Sequence, residues 1–162
     1  MDFTARSALI VFTLVASGIN SGAFFVFSNF VMAALGRLPP AEGARAMQEI
    51  NRGAPNPLFM LTLIGGGVTG AVLAATATGD PGAGWQVAGG LLAAATALVT
   101  AAFHVPRNDG LAEIDPDSAE GQQVWADYLV SWTRGNHVRT LTAVLSVVGL
   151  LLAAAAQSDA TA

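Results

Sequence analysis

Four stretches of this chain contain no Asp, Glu, Lys or Arg: residues 7–36, 53–79, 81–106 and 140–158, which are 30, 27, 26 and 19 residues long. An apolar run of about 18 residues or more without charge is the mark of a membrane-spanning helix, because hydrocarbon offers a peptide group no partner outside its own helix. Four such runs in 162 residues exclude a disordered chain and argue against a soluble globule. Composition agrees. Charged residues are 11% of the chain, against about 25% in soluble domains.

Trimmed by hydropathy, the spans fall near residues 8–34, 57–78, 85–104 and 138–156. The first begins like a secretory signal at Ala8–Ala16, but it runs on through Phe24, Phe27, Phe30 and Met32, too far for a cleaved segment. The sequence Gly-Asp-Pro-Gly-Ala-Gly at 79–84 predicts a tight turn joining spans two and three as an antiparallel hairpin. The other two connections, 35–56 and 105–136, are long and share one side of the membrane. The expected fold is all-α: a single domain over residues 1–162, an integral membrane four-helix bundle with two interfacial helices in its long loops.

All seven cations are arginines. Six of them (Arg37, Arg45, Arg52, Arg107, Arg134 and Arg139) belong to the long-loop side, and Arg6 alone to the other. This asymmetry predicts a multi-pass protein of the cell membrane with its long loops in the cytoplasm. No basic block is present to bind nucleic acid. The chain has no cysteine, which removes thiolate metal sites, disulfides and cysteine nucleophiles.

Each long loop has a helical pattern. Pro39-Pro40 starts one helix, with Met47 and Ile50 on its apolar edge and Glu42, Arg45, Glu49 and Arg52 wet, and Pro55-Asn56-Pro57 follows its end. In the other, Asp117 and Glu120 have the spacing of a capping box ahead of Val124, Trp125, Tyr128 and Trp132, and Gly135-Asn136 predicts a break before span four. The aromatic face suits either an interface anchor or the wall of a ligand site. Within the spans, Gly18 and Gly22, and Gly66 and Gly70, stand four apart, a spacing that lets helices pack closely within the chain or between copies in a homo-oligomer.

Polar side chains gather at the long-loop end. Span one brings Ser28 and Asn29 there, span two starts at Asn56, span three leaves through His104 and Asn108, and span four enters with Asn136, His137 and Arg139. Facing lipid, such groups cost several kcal/mol, so they are expected to turn inward and form a pocket. A simpler role for any single Asn is to satisfy a helix end freed by proline. The two histidines lack the spacing and accompanying ligands of a metal or haem site, and the reading is without metal or cofactor.

Several blocks resemble the anthrone oxygenase-like family of small membrane proteins: Phe27-Ser28-Asn29-Phe30-Val31-Met32, Leu35-Gly36-Arg37-Leu38-Pro39, Met47-Gln48-Glu49-Ile50-Asn51-Arg52 and Asn56-Pro57-Leu58-Phe59. The most specific are Val105-Pro106-Arg107-Asn108-Asp109 and Trp132 through Thr140. The chain departs from the family pattern at His104, where Asn is common, and at Gly135, where Trp is common. The resemblance implies an anthrone oxygenase-like monooxygenase acting on a small aromatic substrate without a dedicated redox cofactor, or a relative with another role. An anthrone has an acidic benzylic C–H whose carbanion reacts with dioxygen directly. Its enzyme needs a base, donors to the oxyanion and aromatic walls. His137 is the expected base and Arg139 and Asn136 the donors. Trp132 and Tyr128 are the expected walls, and Asn29, Asn56, His104 and Asn108 are expected to bind and orient the ligand. The alternative is a noncatalytic membrane scaffold or accessory subunit. A transporter is the least supported, since the spans hold too few ionisable groups for a relay.

Overall fold

The computed structural model describes residues 5–79 and 81–159; residues 1–4, Asp80 of the expected turn and residues 160–162 lie outside the described residues. Four helices are long and apolar enough to cross a membrane: α1 (Ala5–Leu35), α3 (Pro57–Ala75), α4 (Ala83–Ala112) and α5 (Ala119–Asp159). A shorter helix, α2 (Pro40–Gly53), joins the first two. No strand occurs among the described residues. The spanning helices form a ring in chain order. α1 packs on α3 and α5, and α4 packs on α3 and α5. The result is an up-and-down bundle with α2 at the long-loop end.

Close packing inside the bundle depends on absent side chains. A Cβ on Gly70 would stand 2.7 Å from the Gly90 carbonyl oxygen and 2.8 Å from Ala93 Cβ, so α3 and α4 meet backbone to backbone. Gly82, at φ 83°, makes the turn into α4 in the left-handed region that glycine alone enters freely. Gly66 and Gly70 therefore pack as their spacing implies, whereas Gly18 and Gly22 have nothing within 4 Å of where a Cβ would be, among the described residues. Hydroxyl pairs link the helices at depth. Thr13 meets Thr69 at 2.7 Å, Ser17 meets Ser146 at 3.1 Å, and Thr96 meets Thr142 at 2.8 Å. Asn20 donates to the Thr62 carbonyl at 3.1 Å.

α2 begins with Pro40 as its first helical residue and stops at Gly53, short of the two prolines. The second long connection differs from expectation. Its non-helical part is only residues 113–118, because α4 continues through Pro106 to Ala112 and α5 starts at Ala119. The cap of α5 is Ser118, whose Oγ accepts from the Gly121 N–H at 2.9 Å, in place of the Asp117 capping box. α5 also passes through Gly135-Asn136 unbroken. A glycine in a helix costs only about 1 kcal/mol, and here it makes room: a side chain at 135 would run into the Phe103 ring and His104. His104 and Gly135 thus lie against each other.

At 41 residues, α5 is about 60 Å long, twice a hydrocarbon core of about 30 Å. Its first half is therefore not a separate interfacial helix but a rigid extension of span four. Trp125, Tyr128 and Trp132 are buried there against Met32, Leu35, Met47 and Leu111, forming a cap over the end of the bundle. Gln48 ties α2 to the cap by donating to the carbonyls of Leu111 at 2.8 Å and Ile114 at 3.2 Å, and an Arg45–Asp117 ion pair adds an exposed link.

Candidate functional site

Three of the spanning helices widen into a π-helical turn at the capped end: Phe27–Val31 in α1, Leu61–Gly65 in α3 and Thr100–His104 in α4. Such turns spread the backbone and recur at functional sites. Here each supplies a wall of one cavity: Phe27, Leu63 and Thr100. The cavity has a volume of about 390 Å³, within the range of small-molecule sites. Phe24, Met47, Ile50, Phe59, Met60 and Val105 add to its apolar lining. Its polar groups are Asn51, Asn56, Thr100, Asn108 and Arg139, with the Trp132 indole between the last two. Gly53, Pro55 and Asn56, all exposed, form the rim.

Arg139 dominates the electrostatics. Its residue is 4% exposed, and among the described residues no carboxylate pairs with it. Nη2 donates to Asn136 Oδ1 at 2.7 Å, and Nη1 reaches Thr100 Oγ1 at 3.4 Å. The guanidinium stands 4.3 Å from the Phe24 ring centre and 5.0 Å from that of Trp132. Nε is buried with no partner among the described residues. Ring faces stabilise a cation without neutralising it. A buried guanidinium that lines an apolar space and has no paired carboxylate among the described residues can receive an anion there.

Asn136 holds that guanidinium in place. Its amide nitrogen donates to the Phe24 carbonyl at 2.7 Å and to Ser28 Oγ at 2.8 Å, so both hydrogens are spent within the protein. It therefore orients Arg139 and has no donor left for an oxyanion. At the outer end, Asn108 Oδ1 accepts from Tyr128 Oη at 2.8 Å and from Trp132 Nε1 at 2.9 Å, and Asn51 Nδ2 donates to Tyr128 Oη at 3.2 Å.

The remaining expected site residues divide. Trp132 lines the cavity, while Tyr128 stands behind it. Asn56 sits at the rim and caps α3, accepting from the Phe59 N–H at 3.0 Å, the helix-end role open to any single Asn. His104 is fully buried between Phe103 and Trp132, with ring centres at 5.2 and 5.1 Å, and does not line the cavity. Asn29 and His137 are both exposed, in a groove between α1 and α5 on the outside of the bundle with Phe25, Leu141 and Val144. Ser28, bonded to Asn136 and Thr140, separates that groove from the cavity. The structure thus does not bring the expected base to the expected donors. Asn51 was missed from sequence although it was legible there, since it stands four residues after Met47 on the buried face of α2.

Residues 47–149 match a family model described as anthrone oxygenase. The chain belongs to that family. No curated protein and no solved structure matches the chain. The match takes in Asn51, Asn108, Trp132 and Arg139, while α1, which brings Phe24 and Phe27, precedes it. With four apolar helices, this member of the anthrone oxygenase family is a multi-pass membrane protein.

Proposed function

We propose that the protein is an oxygenase of aromatic C–H acids, with the cavity at Arg139 as its substrate site. One observation carries this reading: a buried arginine with no counter-ion among the described residues lines an apolar, aromatic-walled space at the capped end of the bundle. An aromatic ketone with its carbonyl oxygen at Arg139 gains acidity at the conjugated benzylic carbon, because ionisation moves negative charge onto that oxygen. The carbanion transfers an electron to dioxygen and forms a C–O bond. Protonation gives a hydroperoxide, and loss of water from the C–H and O–OH groups leaves a second carbonyl. Overall, a CH2 group and O2 become a C=O group and water, with no dedicated redox cofactor. Among the described residues the lining holds no carboxylate or imidazole, and in this reading the proton passes to water at the exposed rim near Asn56.

The distribution of arginines supports a cell-membrane protein with the capped end in the cytoplasm. A lipid-soluble planar substrate would then reach the cavity at the bilayer surface. The test is oxygen uptake by purified protein in lipid nanodiscs with anthrone as the C–H acid, corrected for spontaneous oxidation. We expect one O2 consumed per anthraquinone formed, and a fall of about 10²–10³ in rate for Arg139→Gln, with partial retention in Arg139→Lys. Full turnover in Arg139→Gln would rule out the site. Absence of turnover and of ligand binding in the unaltered protein would favour the noncatalytic scaffold.

A further inference from the structure

The bonding around Asn108 fixes which of its amide atoms a ligand can meet. An indole N–H only donates, so the atom of Asn108 that faces Trp132 Nε1 at 2.9 Å is the oxygen. The same oxygen takes the Tyr128 hydroxyl hydrogen at 2.8 Å. Tyr128 can direct its hydrogen there because its own oxygen is occupied by the Asn51 amide at 3.2 Å. With the carbonyl side held by two donors, the Asn108 nitrogen keeps both hydrogens free of any protein acceptor among the described residues, on a side chain that lines the cavity. Trp132 touches both polar ends of the space: its N–H binds Asn108, and its ring lies 5.0 Å from the Arg139 guanidinium carbon. The two donors are therefore set about one indole apart along the same wall.

We propose that Asn108 Nδ2 is a dedicated hydrogen-bond donor forming a second subsite, which takes a neutral carbonyl oxygen of a ligand whose anionic end meets Arg139. Tyr128 is the positioning residue of that subsite. It lies behind the lining and acts on the ligand only through the orientation of Asn108. The cavity then favours rigid aromatic ligands with two oxygen acceptors across the ring system over those with no acceptor at the outer end.

This inference rests on the cavity being the substrate site, and the experiment separates the two. Binding of 9,10-anthraquinone-2-carboxylate and of anthracene-2-carboxylate to the nanodisc-embedded protein is measured by tryptophan quenching, with empty nanodiscs as the control. The probes share the anion and the three-ring frame and differ in the ring carbonyls. The unaltered protein is expected to prefer the quinone by about tenfold, the worth of one well-made neutral hydrogen bond. Asn108→Asp keeps an oxygen for Tyr128 and Trp132 but replaces the donor, and should abolish the preference. Any general repulsion of anions by the new carboxylate weakens both probes and leaves their ratio unmoved. Tyr128→Phe, which retains the packing, should reduce the preference by releasing the amide. Equal affinity for the two probes in the unaltered protein, or a preference that survives both substitutions, overturns the subsite. Loss of Arg139 dependence for both probes instead overturns the substrate-site reading.

Discussion

Asn136 and His137 are neighbours in sequence with opposite environments. The Asn136 amide bridges three groups from inside the bundle, the Phe24 carbonyl, Ser28 Oγ and the Arg139 guanidinium, while His137 is exposed on the outer groove. Asn136→Ala should therefore lower stability by about 1–3 kcal/mol, since it strands a buried carbonyl and frees Arg139 from its tether. Reversible unfolding in mixed lipid and denaturing detergent would measure this. His137→Ala should leave both stability and oxygen uptake unchanged within error. A large loss of uptake in His137→Ala would restore the imidazole as the base and displace water from that role. A polar group in a span is expected to turn inward, and Asn108, Asn136 and Arg139 do line or support the cavity. Asn29 and His137 do not.

Between helices, what matters is how closely the backbones approach. Gly70 on α3 faces the Gly90 carbonyl of α4, so Gly70→Leu should separate the two helices and cost about 1–3 kcal/mol or prevent assembly. Gly22 is exposed with open space before it, so Gly22→Leu should change stability of the isolated chain by less than about 0.5 kcal/mol. The same unfolding measurement compares them, and equal costs would contradict the packing described. Sequence spacing alone ranked the two glycine pairs alike, since both stand four apart. Only the neighbouring helix distinguishes them. The π-helical turns likewise have no legible pattern in the sequence. Phe27, Leu63 and Thr100 fall into ordinary apolar stretches, and the widened turns are apparent only in the backbone that lines the cavity.

For the molecule as a whole, the distinctive feature is asymmetry between the two ends of the bundle. One end closes with the short turn around Gly82, and the other carries the cap built from α2, the end of α4 and the first half of α5. Five of the arginines, Arg37, Arg45, Arg52, Arg107 and Arg134, lie toward the capped end, while Arg139 is buried in the bundle and adds little to the topology signal. The natural absence of cysteine makes the orientation directly testable. In intact cells, a membrane-impermeant maleimide should label Gly79→Cys and should not label Ser118→Cys until the membrane is opened. The reverse pattern would place the cap and the cavity mouth outside the cytoplasm.

By itself the sequence determined the solvent and the topology. Charge-free runs long enough to cross hydrocarbon require helices, because each peptide group must be satisfied within its own segment, and the alternation of long and short links then puts Asn56, Asn108 and Arg139 at one end. It also marked the two prolines after α2 as a boundary. The rotation of each helix about its axis was decided only by the tertiary structure, since neighbouring positions such as Asn136 and His137 differ by about 100° of turn and hydropathy does not say which faces a partner. That rotation separated the inward amides from the outward histidine. It also carried α5 through Gly135 without a break, because Phe103 and His104 fill the space that the missing side chain leaves. Helix-end signals act locally and weakly, at about 1 kcal/mol each, and the packing of the cap outweighs them.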